Sequence, residues 1–126
     1  MSARTLLEST IAGALPLLAA TQFSDSGIVS RTVLSAGRTR VVLFGFAAGQ
    51  ELTEHATPAR ALVQILSGRS EWTLGGEQRT LSAGELLHMP PGLAHSVRAV
   101  EAFSMLLTLV RESDAPAPVS NGDGME

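Results

Sequence analysis

The chain contains no cysteine, no lysine and no tyrosine. Without cysteine there can be no disulfide, thiolate nucleophile, cysteine-held iron–sulfur cluster or cysteine zinc site. Without lysine there is no Schiff-base chemistry, and without tyrosine no phenol to act as acid or base. Aromatic residues are scarce, with one tryptophan and four phenylalanines. Positive charge is also limited: all nine basic residues are arginine, scattered among acids to a net charge of −3. That balance offers neither a basic footprint for nucleic acid nor a polybasic stretch for an anionic membrane. The most apolar early run, IAGALPLLAA at 11–20, is too short to span a bilayer and follows Glu8 rather than a basic segment. It reads as an N-terminal helix or irregular segment that packs on the domain, and the expectation is a cytoplasmic protein.

What is present is a regular succession of short apolar strands. With 126 residues the chain is about one domain long, enough to bury roughly two thirds of the surface its unfolded form exposes. RVVLFGF (40–46), ARALVQIL (59–66), SEWTL (70–74), RTLSA (79–83), ELLHM (85–89), HSVRAV (95–100) and FSMLLTLV (103–110) are each bounded by Gly, Pro or polar turns. Gly68, Gly76, Gly84 and Gly92 recur at hairpin spacing for a β-sandwich or barrel. VVLFGF and MLLTLV are apolar on both faces, so a partner chain or the N-terminal segment must cover the outside. A homodimer is the simplest expectation. The predicted organisation is an N-terminal extension over 1–26, one barrel over 27–112 and a disordered Pro-, Gly- and acid-rich tail over 113–126.

Two stretches carry candidate chemistry. Gly84-ELLHM-Pro90-Pro91-Gly92-LA-His95 describes a strand ending in a rigid turn that aims His95 back into the fold. Gly49-QELTE-His55 precedes a second strand region, and period-two geometry sets His55 and Thr57 on one face. Two imidazoles converging inside an apolar barrel would make half of a divalent metal site, suited to Fe, Mn, Ni or Zn. For a further oxygen donor the candidates are Gln64, favoured here, Glu51, and Glu54, which needs a bulge to reach the face of His55. His88, between inward Leu87 and Met89, is expected to point outward, toward a partner chain. Trp72, Phe103 and Met105, with Thr57, are the candidate pocket lining, beside Phe44 and Phe46 as core. Arg60 would bind a carboxylate if it pointed inward. No GxSxG elbow or phosphate-cradling loop is present.

These two stretches resemble the motifs of the cupin superfamily, small double-stranded β-helix barrels of the RmlC-like type. The second motif, Gly-x5-Pro-x-Gly-x2-His-x3-Asn, is matched from Gly84 to His95, with Ala99 in place of Asn. The first, Gly-x5-His-x-His-x3/4-Glu-x6-Gly, keeps Gly49, His55 and Gly68 but holds Thr57 and Ala61 at two ligand positions. The resemblance implies an all-β double-stranded β-helix, or jelly-roll barrel. It also implies either a metal-dependent enzyme of dioxygenase or isomerase type acting on a small organic molecule, or a non-catalytic binding barrel with a decayed metal site.

Overall fold

The computed structural model describes residues 4–112; the expected tail at 113–126 lies outside the described residues. The strands are β1 (Val29–Ala36), β2 (Thr39–Phe46), β3 (Glu51–His55), β4 (Arg60–Ser67), β5 (Arg69–Leu74), β6 (Glu77–Ser82), β7 (Leu86–Met89), β8 (His95–Ala99) and β9 (Phe103–Val110). They form a five-stranded sheet, β1-β2-β9-β4-β7, facing a four-stranded sheet, β3-β8-β5-β6. Every pairing is antiparallel. The glycines at 68, 76, 84 and 92 each fall in the connection between successive strands. This is the expected double-stranded β-helix, and its seven apolar strands lie within two residues of their predicted positions.

Alternation fixes which side chains meet between the sheets. In β4, Ala61, Val63 and Ile65 are buried, while Leu62 and Gln64 between them face out. In β9, Phe103, Met105, Leu107 and Leu109 turn inward and meet Val42, Phe44 and Phe46 of β2. The opposite sheet contributes Trp72 and Val97. Trp72 is fully buried, and its indole Nε1–H donates to Ser70 Oγ at 2.9 Å, which in turn donates to the Leu81 carbonyl at 3.3 Å. The single tryptophan thus enters the core without an unpaired donor.

The second apolar face of β2 is covered from within the chain. Leu43, on the side opposite Phe44, is only 1 % exposed. The N-terminal segment lies over it, tied down at several points. Leu6 and Leu7 donate backbone N–H bonds to Thr32 and Val33 carbonyls, where the β1–β2 register shifts between Thr32 and Leu34. Arg31 Nη1 donates to the Ala20 carbonyl at 2.8 Å, and Gln50 Nε2 to the Ser24 carbonyl at 2.7 Å. Gly45 makes the approach possible, since a Cβ there would lie 2.0 Å from the Gln22 carbonyl oxygen. The segment is mostly irregular, with one helical turn, α1 (Leu17–Ala20), that buries none of its residues. α1 approaches β4, but Leu62 of β4 and Leu86 of β7 remain 36 % and 67 % exposed. Among the described residues no helix is long and apolar enough to cross a membrane.

The close approach at Gly45 gives a direct test. Gly45→Ala is expected to destabilise the fold by about 1–3 kcal/mol through overpacking and to make residues 4–26 more sensitive to limited proteolysis. Unchanged denaturation and cleavage would show that the segment does not rest on this strand.

Candidate functional site

His55 and His95 are brought face to face by two local irregularities. On β3, Leu52 pairs with Val97 and His55 with His95, so three steps on β3 match two on β8. The extra residue is a bulge, and it reverses parity. Leu52 and His55 consequently both turn toward the interior, while Glu54 is left exposed. The bulge that Glu54 would need therefore exists, but it delivers the histidine and not the carboxylate. On β8, His95 follows the turn of Pro90, Pro91 and Gly92. Gly92 adopts φ +84° and donates its N–H to the Thr57 carbonyl at 2.8 Å. Ala94 accepts from Gly75 N–H at 2.9 Å, which ties the same turn to the β5–β6 hairpin. Held from both sides, His95 is 1 % exposed.

The two imidazole rings lie 4.3 Å apart between centroids, inclined at 57°. Each sits within hydrogen-bonding reach of the carbonyl two residues earlier: His55 Nδ1 at 2.8 Å from Thr53 O, His95 Nδ1 at 2.9 Å from Leu93 O. A carbonyl only accepts, so Nδ1 carries the proton on both rings and Nε2 carries the lone pair. Both Nε2 atoms are buried and have no hydrogen-bond partner among the described residues. Two unpaired buried acceptors side by side are costly as a purely structural arrangement. As metal ligands they are ready, because a backbone carbonyl on Nδ1–H fixes tautomer and ring orientation for coordination through Nε2. The pair thus offers two nitrogen donors, half of what a divalent metal takes. Burial holds the His95 pKa below the ordinary histidine value; the Leu93 carbonyl partly opposes this and the neighbouring His55 adds to it.

The other predicted residues are distributed unevenly around this pair. Thr57 is buried nearby, but β3 ends at His55, so Thr57 reaches its place through the loop, where its Oγ1 accepts from Ala59 N–H at 3.2 Å. Trp72 pairs with Val97, one inward position deeper than Leu74, which pairs with His95. Gln64 is a correction. It lies on the exposed face of β4, between inward Val63 and Ile65. Glu51 and Glu54 are likewise exposed. Phe103 and Met105 are also displaced from the predicted lining. They pair with Phe46 and Phe44, and Phe103 stacks on Phe46 at 4.5 Å between centroids. Phe103 is six strand positions, about 20 Å, from Leu109, which pairs with Ala61 near the histidine end.

Arg60 does not enter the barrel. It forms an ion pair with Glu112 on the outer face and donates from Nη1 to His88 Nε2 at 2.8 Å, with His88 outward as predicted. Residues that sequence reasoning did not single out are Leu52, Leu74 and Leu93, partly buried and packed against the core, with Leu74 paired to His95. Only the strand register, invisible in a single sequence, brings Leu74 to His95. Among the described residues no group of three or more His, Cys, Asp or Glu is placed to hold a metal ion, so the histidine pair stands alone.

Comparison with known proteins agrees with this geometry. The family model for the Cupin domain matches residues 42–110. A conserved protein of unknown function from Streptococcus pyogenes has a crystal structure that is 31% identical, covers 90% of this chain and 99% of its own, and superposes with a TM-score of 0.75. An RmlC-like cupin from Desulfovibrio desulfuricans is 29% identical over 80% of this chain and 98% of its own, at a TM-score of 0.73. A cupin superfamily protein from Desulfitobacterium hafniense, 24% identical over 76% of this chain and 88% of its own, shares the fold at 0.72. No match is found among the curated proteins. The barrel, the histidine at the end of each motif frame and a family match over more than half the chain all lead to one conclusion: this chain belongs to the cupin superfamily.

Proposed function

We propose that this cupin binds a divalent metal, one of Fe, Mn, Ni or Zn, through His55 Nε2 and His95 Nε2, and acts there on a small organic molecule. The observation that supports the reading is the pair of buried, unpartnered Nε2 atoms on rings whose Nδ1–H groups are already held by backbone carbonyls. A metal so placed would supply Lewis-acid polarisation of a ligand oxygen, the chemistry behind dioxygenase- or isomerase-type turnover. The chain's own part is to fix both rings, to keep water out with Leu52, Leu74 and Leu93, and to leave the remaining coordination positions open. A second reading is supported by Thr57 and Ala61, which stand where the family's motif has ligands: a barrel that holds a small molecule without turning it over.

A homodimer forms part of the proposal. The uncovered Leu62 and Leu86 lie beside the Arg60–Glu112 ion pair, so a second copy related by a two-fold axis would meet both an apolar centre and charges of either sign. Light scattering on a sizing column is expected to give twice the chain mass, and Leu62→Glu with Leu86→Glu is expected to give the monomer. A monomeric wild type would remove this part of the proposal.

Elemental mass spectrometry of untagged protein, purified without chelator, is expected to find near-stoichiometric metal in the wild type and little in His55→Ala or His95→Ala. Chelator should lower the melting temperature of the wild type by about 5 °C or more, because a ligand bound only to the native state stabilises it. Wild type that stays empty after incubation with all four ions would defeat the reading.

The metal-free protein should also lose stability on acidification. The unfolded chain protonates His95 as pH falls through about 6.5, while the folded chain, with its lowered pKa, does not until lower pH. In that window the unfolded state binds more protons, so stability rises with pH and is lost on descent from about 7 toward the folded pKa. The fluorescence of Trp72 can follow melting between pH 5 and 7. His95→Gln should flatten this dependence, and an identical slope in that variant would assign it to other groups.

A further inference from the structure

β9, β4 and β7 run side by side in the larger sheet, and between them they carry only two residues with a charged or titratable side chain, Arg60 and His88. His88 stands on the outer face, directly across the β4–β7 ladder from exposed Leu62 and one outward position from exposed Leu86. Leu106 and Val110 of β9 alternate outward beside them, level with Gln64 and Arg60. The face is therefore apolar at four positions and charged at a single cluster.

Within that cluster, Glu112, two residues beyond β9, accepts from Arg60 with both carboxylate oxygens, from Nε at 2.5 Å and from Nη2 at 3.1 Å. The remaining guanidinium nitrogen, Nη1, donates to His88 Nε2 at 2.8 Å. A guanidinium has no lone pair to offer, so Nε2 accepts and the ring is neutral, with its proton on Nδ1. The hydrogen bond from Arg60 holds the Glu112 carboxyl below the ordinary carboxylate range, and Arg60 itself stays cationic. Among the elements packed beside the ring, β4 brings Arg60, the end of β9 brings Glu112, and α1, which approaches β4, has no ionisable residue. Arg60 and Glu112 cancel, so between about pH 5 and 8, where histidine side chains charge, His88 decides whether the cluster is neutral or carries one positive charge.

We infer that the outer face of β4, β7 and β9 associates with a second copy of itself only while His88 is neutral, and that a proton on His88 releases the copy. A two-fold contact sets this face against its own duplicate, and a cluster that cancels internally brings no net charge to that contact. A proton on Nε2 removes the acceptor of the Arg60 hydrogen bond and sets N–H against N–H. In the free chain water hydrates both groups and the exposed side chains can separate. Between two copies the same proton leaves one uncompensated charge per chain in an apolar contact, where desolvation penalises it. The free chain thus binds protons better than the pair does, and by linkage falling pH favours the free chain. The inference rests on the homodimer reading above and deepens it by naming what regulates association.

Sedimentation velocity of the full chain over a range of concentrations, at pH 7.5 and 5.5 and equal ionic strength, tests this. Trp72 fluorescence checks that the core is folded at both, and pH 6.0 replaces 5.5 where it is not. The dimer Kd of the wild type is expected to rise roughly tenfold or more on acidification. His88→Gln keeps an oxygen that can accept from Arg60 and has no basic nitrogen, so its Kd should change by less than about threefold. His88→Arg carries the positive charge at every pH tested and should be monomeric at pH 7.5. Wild type that is equally dimeric at both pH values would overturn the inference and leave the homodimer standing. A Kd that rises as steeply in His88→Gln would also overturn it, by assigning the effect to other groups, as would a His88→Arg dimer of wild-type strength. Wild type that is monomeric at both pH values would defeat the homodimer reading and the inference with it.

Discussion

β9 is the strand on which the barrel depends. It lies at the centre of the five-stranded sheet, bonded along one edge to β2 and along the other to β4. Its inward residues, Phe103, Met105, Leu107 and Leu109, run the length of the core from the phenylalanine end to the end that holds the histidines. Because side chains alternate strictly, a slip of one residue in either ladder would drive these four to the outside and bring Ser104, Leu106, Thr108 and Val110 in. The apolar run FSMLLTLV is the strongest in the chain for this reason. Its burial sets the depth at which β4 presents Ala61, and through the loops after β3 and β7 the position of both histidines.

Against that regular frame, the site is made by departures from regularity. One extra residue in β3 turns His55 inward, and a Pro-Pro-Gly turn locked to Thr57 does the same for His95. Each imidazole then uses the same local device, a carbonyl two residues behind it, to choose its tautomer. Among the described residues neither ring makes an ionic contact. The site is accordingly neutral, with His95 buried and His55 partly exposed.

Much of this was legible in the sequence because the signals were local. Seven apolar strands, the glycine-paced turns and the inward Leu87 and Met89 around outward His88 all follow from alternation and turn chemistry. β1 is not among the strands the sequence announces, since VSRTVLSA is too polar to signal burial, and ELTEH enters only through the strand alternation applied to His55. Gln64 is expected inside because residue type does not fix parity; the alternation of β4 runs undisturbed and puts it outside. Phe103 and Met105 were assigned to the pocket because bulk says that a residue is inside and nothing about which end of a 20 Å strand it occupies. The bulge was anticipated as a possibility for Glu54. That it serves His55 depends on pairing with β8, a long-range fact that no single stretch carries. Of the two covers expected for the outer face, the N-terminal segment is present, lying on β1 and β2 and reaching β4 through α1.

The hydrogen bonds from Leu6 and Leu7 to β1 have an effect apart from covering Leu43. β1 is an edge strand, and an open edge of alternating residues is a template on which another chain can add a strand and begin an open-ended polymer. The two leucines occupy that edge where its own ladder to β2 is interrupted, and the opposite edge, β7, is only four residues long. The extension that precedes the barrel therefore also occupies part of this edge and shortens the stretch on which a foreign strand could pair.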